Sequence, residues 1–146
     1  MKTHDPRSVD VLVAGQSINS GLAPDGDFVS AEPMGPDFEM VQGIDGEAAR
    51  VAKYGSKTGK AVVRVLHTSD GNTTLSALRL LDTGNPNGGG LGPFAIIDRS
   101  GGLIVEAQSC CVEGVPKVAR GGSVGVVEWT LLLSNCTWTV NGNPAV

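Results

Sequence analysis

Residues Tyr54 to Val65 read YGSKTGKAVVRV, and their reading decides between two fold classes. A glycine, three residues, then Gly-Lys before an apolar run has the outline of a phosphate-binding loop, which would make the chain α/β. That loop needs G-x-x-x-x-G-K-[ST] between a strand and a helix. Its N–H groups then converge on phosphate oxygens while a hydroxyl holds magnesium. Here Gly55 and Gly59 are separated by three residues, not four, and Lys60 is followed by Ala61, which has no hydroxyl. The run from Lys60 onward alternates with a period of two: Lys60, Val62, Arg64 and Leu66 share one face, and Ala61, Val63, Val65 and His67 share the other. No helix N-terminus is aimed at a phosphate. The stretch therefore reads as a glycine-bent turn entering a strand over Lys60 to Thr68.

The same period governs most of the chain on either side. Upstream, VDVLVAGQSI (Val9 to Ile18) reads as a strand, and Asn19 to Pro36, rich in Gly, Pro, Asp and Ser, as a long loop. Phe38 to Ile44 and Glu47 to Tyr54 flank Asp45-Gly46, a hairpin signal. Downstream the period changes. Asp70 or Asn72 can cap a helix of about residues 72–82, with Leu75, Leu78 and Leu81 at three-residue spacing and Gly84 as its stop. Its broad apolar side predicts packing on a sheet. Asn85 to Pro93 is a loop, and Phe94 to Asp98 and Leu103 to Cys111 are strands around RSGG. Val124 to Val140 is one long strand, or two joined near Ser134-Asn135. Glu128, Thr130 and Leu132 face one way there, and Trp129, Leu131 and Leu133 the other. Short strands, frequent turns and one helix predict a mainly β fold. Its form is a two-sheet antiparallel β-sandwich or barrel with one flanking α-helix, as a single domain over residues 1–146.

Composition narrows function. Charged residues are 18% of the chain, below the roughly 25% of ordinary soluble domains, so part of the surface is expected to meet protein rather than water. Net charge is −4 and no basic run exceeds two residues, which disfavours stable nucleic-acid binding. No apolar window approaches a membrane span, and MKTHDPRSVD has no signal-peptide core, so cytoplasmic synthesis is expected. His4 and His67 are the only histidines, and His67 reads as a rim position. There is no Gly-x-Ser-x-Gly elbow. Asp25 to Asp27 lacks the spaced ligands of a calcium loop. Trp129 and Trp138 read as core or subunit-contact anchors. No catalytic, cofactor or metal site is expected. Aromatic content of 4% leaves little material for the aromatic platform of a carbohydrate- or ligand-binding module. Cys110, Cys111 and Cys136 form no CxxC; they read as buried small hydrophobes, or alternatively as partners in a disulfide, within or between subunits. On a strand, Cys110 and Cys111 point to opposite faces.

Four stretches carry a resemblance over roughly Asp37 to Val146. They are MVQGIDGEAARVAKYGSKTGKAVVRVLHTSDGNTTLSAL from Met40, AIIDRSGG from Ala95, GVPKVARGGSVGVVEWTL from Gly114, and WTVNGNPAV from Trp138. In this order they resemble the tail tube (structural) protein family of contractile-tailed bacteriophages. The resemblance implies a barrel of two sheets with a flanking helix, six copies in a ring, and rings stacked into the hollow tail tube. It implies as partners further copies of the chain, the tail sheath protein, the tape measure protein, the baseplate hub and the tail terminator. DNA would pass through the lumen without specific binding, in a virion tail assembled in the bacterial cytoplasm, with no cofactor and no membrane. Six copies carry a charge of roughly −24, and an acidic wall would repel DNA. Inter-ring contact is expected at the hairpin around Asp45 and Gly46, the loop Asn19 to Pro36 and the C-terminal NGNPAV with Asn141 and Asn143. Lys53, Lys57 and Lys60 are candidates for pairing with a neighbour's carboxylates. A tube subunit of a phage-derived contractile injection system or bacteriocin shares these features, and a β-sandwich ligand-binding module is the competing class.

Overall fold

The structure, a computed structural model, describes residues 1, 3–24 and 26–141. Its strands are β1 (Val9–Val13), β2 (Gln16–Ser17), β3 (Val29–Pro33), β4 (Phe38–Gln42), β5 (Ala48–Ala52), β6 (Thr58–Leu66), β7 (Gly92–Asp98), β8 (Leu103–Val112) and β9 (Val126–Val140). One helix, α1 (Gly71–Gly84), lies between β6 and β7 and packs against β8. The fold is mainly β, as its alternation predicts. Seven strands form one antiparallel sheet in the order β2-β1-β7-β8-β9-β6-β3, and β4-β5 form a separate ribbon.

Alternation builds the core directly. Ala61, Val63 and Val65 of β6 are fully buried, as are Val11 and Val13 of β1, and they join Phe94, Ile96, Trp129 and Leu131 in one cluster. Each such Val, Leu or Phe contributes about 1.5–3 kcal/mol on leaving water. The strand β9 spans the sheet. Its first part pairs with β6 (Ala61 with Leu131) and its second with β8 (Val105 with Trp138). Both sequence readings of this segment capture something: it is one strand, and it changes at Asn135. Val127, Trp129, Leu131 and Leu133 are buried, then the phase inverts and Cys136 is buried. Asn135 has a left-handed backbone, φ 52°. In β8, Val105 and Ala107 give way to Cys110 and Val112 across Gln108, whose side-chain carbonyl accepts from Asn135 Nδ2 at 3.1 Å. The two strands bend together, and both bring a cysteine inward.

Three expectations need correction. Val9 to Ile18 is not one strand: Ala14 (φ 52°) and Gly15 (φ 80°) form a tight turn into β2. That turn needs positive φ at both positions, and Ala gives no signal of it. The stretch 19–36 is not loop throughout, because Val29–Pro33 pairs with β6 as an edge strand. Its terminal Pro33 is tolerated because an edge leaves one side of the ladder unpaired. The helix buries Leu75 and Leu78, but Leu81 is 56% exposed, so the apolar side faces the sheet over only its first two turns.

The helix start is held by side chains of the loop before it. Ser69 Oγ accepts from the Gly71 N–H at 3.1 Å. Asn72 Nδ2 donates to the carbonyls of Leu66 at 2.9 Å and His67 at 3.2 Å, and its Oδ1 accepts from Trp129 Nε1 at 2.9 Å. One amide thus joins β6, α1 and β9. We expect Asn72→Ala to leave the indole N–H without its partner and to cost about 1–3 kcal/mol of unfolding free energy, read by denaturant titration. An unchanged midpoint would remove this role.

Candidate assembly surface

The β4-β5 ribbon is the part of the molecule whose sequence and surroundings disagree most. Phe38 pairs with Ala52, Met40 with Arg50 and Val41 with Ala49. Every residue of both strands is exposed, Met40 to 79% and Val41 to 54%. One face carries Phe38, Met40, Ala48 and Ala52; the other carries Val41, Ala49 and Val51. Apolar side chains on both faces of a ribbon with no layer beneath it call for covering, since a lone two-stranded hairpin is marginal in water.

The ribbon's ends are firmly built. At its tip, Gly43 N–H donates to Glu47 O at 2.7 Å, Asp45 Oδ1 accepts from Glu47 N–H at 3.2 Å, and Gly46 sits at φ 89°. This is the Asp-Gly turn expected from the sequence, drawn out to a three-residue loop closed by a left-handed glycine. At its base, Lys53 N–H and Tyr54 N–H both donate to Asp37 O, and Asp37 Oδ1 accepts from Ser56 N–H at 3.0 Å. Hydrogen bonding from the Ser56 side chain and from its N–H holds the Asp37 carboxyl below the usual carboxylate range. Gly55 packs so closely on the Gly35 and Pro36 carbonyls that a Cβ would overlap them. Trp138 Nε1 donates to Ser56 O at 2.7 Å and ties this base to β9. The YGSKTG segment is therefore a structural knuckle: a short 3-10 turn, Gly55–Lys57, leading straight into β6.

The other candidate residues are dispersed. Asp45 and Gly46 are at the ribbon tip. Lys53 pairs with Glu39 across the ribbon at 3.6 Å, and Lys60 with Glu113 at 3.5 Å. Lys57 is exposed at the base, next to Asp37. Asn141 is exposed just after β9, and Asn143 lies outside the described residues. His67 Nδ1 accepts from the Gly125 N–H at 3.0 Å, at the rim. Sequence reading missed the exposed Leu80, Leu81 and Leu91, and it missed β3 as a sheet edge. A further exposed segment, residues 113–125, presents Val115, Val118 and Val124. Among the described residues no group of three or more His, Cys, Asp and Glu is placed to hold a metal ion, and no helix is long and apolar enough to cross a membrane.

All three cysteines are free thiols. Cys110 and Cys136 are buried, while Cys111 faces the other way and is half-buried, as adjacent strand positions require. Burial pushes the Cys110 thiol up to about 11. Burial also raises Cys111, helped by the carboxylates of Asp82 and Glu113, and it raises Cys136.

This architecture is tail-tube-like. The chain superposes on the tube-terminating cap of the anti-feeding prophage with a TM-score of 0.58, at 10% identity over 97% of this chain and 93% of that one. It superposes on a chain of the extended sheath–tube complex of the extracellular contractile injection system PVC with a TM-score of 0.57, at 11% identity over 95% and 93%. In sequence it is similar to Structural protein ORF10 of Pseudomonas phage KPP10, 24% identical over 99% of this chain and 85% of that protein. No protein-family model matches. The sequence and fold likenesses together support a phage tail-tube-like family.

The thiols test the bend at Asn135. A maleimide at neutral pH should modify Cys111 first, with Cys110 and Cys136 reacting only on unfolding, because both exposure and thiolate fraction favour Cys111 over Cys110. Mass spectrometry of the labelled peptides checks this. Early labelling of Cys110 would mean that the strand phase is not inverted.

Proposed function

We propose that the chain is a single-domain, non-catalytic structural subunit of a contractile tail or related injection machine. Copies assemble into six-membered rings that stack into the inner tube through which the genome is conducted. The observation that carries this reading is the exposed ribbon, apolar on both faces, on a tail-tube-like fold. A lone chain leaves that surface in water; a stack of rings covers it. Low charge content and the net −4 fit a subunit that buries much of its side surface and leaves an acidic wall past which DNA slides. In this reading the partners are further copies, a sheath protein outside, a tape measure protein within, and a baseplate hub and terminator at the two ends. The location is the virion tail, put together in the host cytoplasm. A tube subunit of a phage-derived injection system or bacteriocin is the same proposal with a different cargo.

A second reading has its own support. One fold neighbour is a tube-terminating cap and another belongs to a sheath/tube terminator, so the chain fits a ring that ends a tube as well as one that extends it. Negative-stain electron microscopy of the purified protein separates the two: hollow rods for a tube subunit, discrete rings for a terminator. Met40→Glu with Ile44→Glu places charge on the exposed ribbon, where neither side chain supports the core. This double variant should keep the parent melting temperature to within about 4 °C and fail to form rods or rings. Rods of normal length from it would count against the ribbon as the assembly surface.

A further inference from the structure

Asn or Asp precedes Gly at five places: Asp25-Gly26, Asp45-Gly46, Asp70-Gly71, Asn87-Gly88 and Asn141-Gly142. In such a pair the glycine nitrogen can reach the preceding side-chain carbonyl carbon and close a five-membered ring, and no Cβ on the glycine hinders it. Closure needs an amide N–H not committed to a hydrogen bond and a side chain free to turn toward it. The fold separates the pairs on this requirement. Gly46 N–H donates to Gly43 O at 3.0 Å, and Asp45 Oδ1 accepts from the Glu47 N–H at 3.2 Å. Gly71 is buried at the start of α1, and its N–H donates to Ser69 Oγ at 3.1 Å. Both aspartates would also have to expel a carboxyl oxygen, a poorer departure than that of ammonia from an amide. Asp25 and Gly142 lie outside the described residues.

Asn87-Gly88 meets the requirement. It forms the tip of the loop between α1 and β7, and Asn87 is exposed. Among the described residues, neither the Asn87 side chain nor the Gly88 N–H has a hydrogen-bond partner. The flanks of the tip are fixed. Gly89 N–H donates to Asn85 O at 3.1 Å, Gly90 N–H to Asp82 Oδ1 at 3.1 Å, and Leu91 N–H to Gly88 O at 3.3 Å. Gly89 and Gly90 press so closely on the Leu81 and Leu78 carbonyls that a Cβ at either would overlap them. The loop thus has a pinned base, and its free amide stands at the tip. An N–H bonded only to water is released without breaking any structure, unlike one held in a ladder or a turn. Asn85, the other asparagine of this loop, precedes Pro86, which has no N–H to close a ring.

We propose that Asn87-Gly88 is a covalent modification site, where the folded chain loses ammonia through a cyclic imide and gains a carboxylate. The Gly88 nitrogen gives its proton to solvent base and attacks Asn87 Cγ. The N–Cγ bond forms, the Cγ–Nδ2 bond breaks, and ammonia leaves with the proton returned to it. Water then opens the imide, adding hydroxyl to one carbonyl carbon and hydrogen to the nitrogen. Opening at Cγ gives aspartate on an unchanged backbone. Opening at the main-chain carbon gives isoaspartate, whose backbone runs through Cβ and Cγ. The net change is one water taken up and one ammonia released, with no oxidant or reductant. Either product moves the formal charge of the chain from −4 to −5. The new anion stands beyond the C-terminal end of α1, whose unpaired carbonyls are also negative, and one loop residue away from the Gly89-Gly90 segment that Asp82 holds. Isoaspartate in addition inserts a methylene into the turn that Asn85 O and Gly89 N–H close.

The inference does not depend on assembly, so the full chain in solution tests it. The protein is incubated in mildly alkaline buffer, folded by circular dichroism, beside the same chain unfolded in urea. Tryptic peptide 80–99, whose only asparagines are Asn85 and Asn87, is followed by mass spectrometry. A protein isoaspartate methyltransferase with labelled S-adenosylmethionine counts the isoaspartate in it. Asn87 should convert in the folded chain at a rate within about threefold of that in the unfolded chain. The rate should climb with pH, as loss of the amide proton requires, and Asp45 and Asp70 should stay unmodified over the same interval. Asn87→Gln, whose ring would need one more atom, should keep the parent circular dichroism and abolish the charge gain in this peptide. An Asn87 still intact in the folded chain when the unfolded chain has lost it overturns the inference. Isomerisation of Asp45 or Asp70 in the folded chain as fast as the loss at Asn87 does so too, because the fold then makes no selection among the pairs.

Discussion

The rest of the structure depends on one constraint: backbone N–H and C=O groups at a strand edge must find partners. The large sheet meets this at every internal ladder and, through Asn19, at β1. At β3 and along the ribbon the outward groups are left to water. A chain of this size buries a real core, with Phe94, Ile18, Leu75 and Leu131 fully enclosed. That core stands without the ribbon, which contributes no residue to it. The segment from Phe38 to Ala52 therefore has a stable scaffold behind it and solvent-facing backbone in front of it. The proposed function assigns this segment to assembly.

Rigidity at the base of the ribbon matters as much as apolar surface on its faces. A limp arm would lose conformational entropy on docking and bind weakly for its area. Here the arm is clamped: Asp37 takes three backbone donors, Gly55 is wedged against Gly35, and the Trp138 indole bonds Ser56. Gly59 lies directly beneath the same indole, where a Cβ would collide with the ring at 2.9 Å. Trp129 performs the equivalent task further back along the same core-facing side of β9, through Asn72. The two tryptophans of β9 fix the ribbon base and the helix start, so the long strand sets the relative position of every outlying element.

Much of this was legible in the sequence, for identifiable reasons. Period-two alternation in Lys60 to Leu66 marks a strand with one buried face, and the burial cost enforces the pattern. Asp45-Gly46 marks a hairpin because its left-handed glycine is a local requirement. The failures were equally local. Ala14 adopts a positive φ that its side chain disfavours, held there by its N–H bond to Pro93 O. The strand β3 is short, partly exposed and closed by proline, so only its long-range pairing with β6 reveals it. The inversion at Asn135 depends on a partner strand bending at the same level, which no single segment encodes. The candidate surface was legible only at its tip, since Phe38, Met40 and Val41 look like ordinary strand residues until the absence of a layer beneath them is seen.

The asymmetry of the sheet edges bears on what kind of assembly is open to this chain. Two open edges would permit indiscriminate strand addition and fibres. Two closed edges would leave the ribbon without a counterpart. One closed edge, one open edge and a detached ribbon are, in the proposed assembly, different surfaces of the same molecule. A twofold dimer through a single patch does not use both, because its contacts are self-complementary. A head-to-tail contact uses each once per copy and leaves nothing over when the ring closes. Pro33 reinforces this order by ending the open edge, where it has no N–H to offer. Edge closure by Asn19 and edge truncation by Pro33 thus leave one short stretch of free backbone on the large sheet.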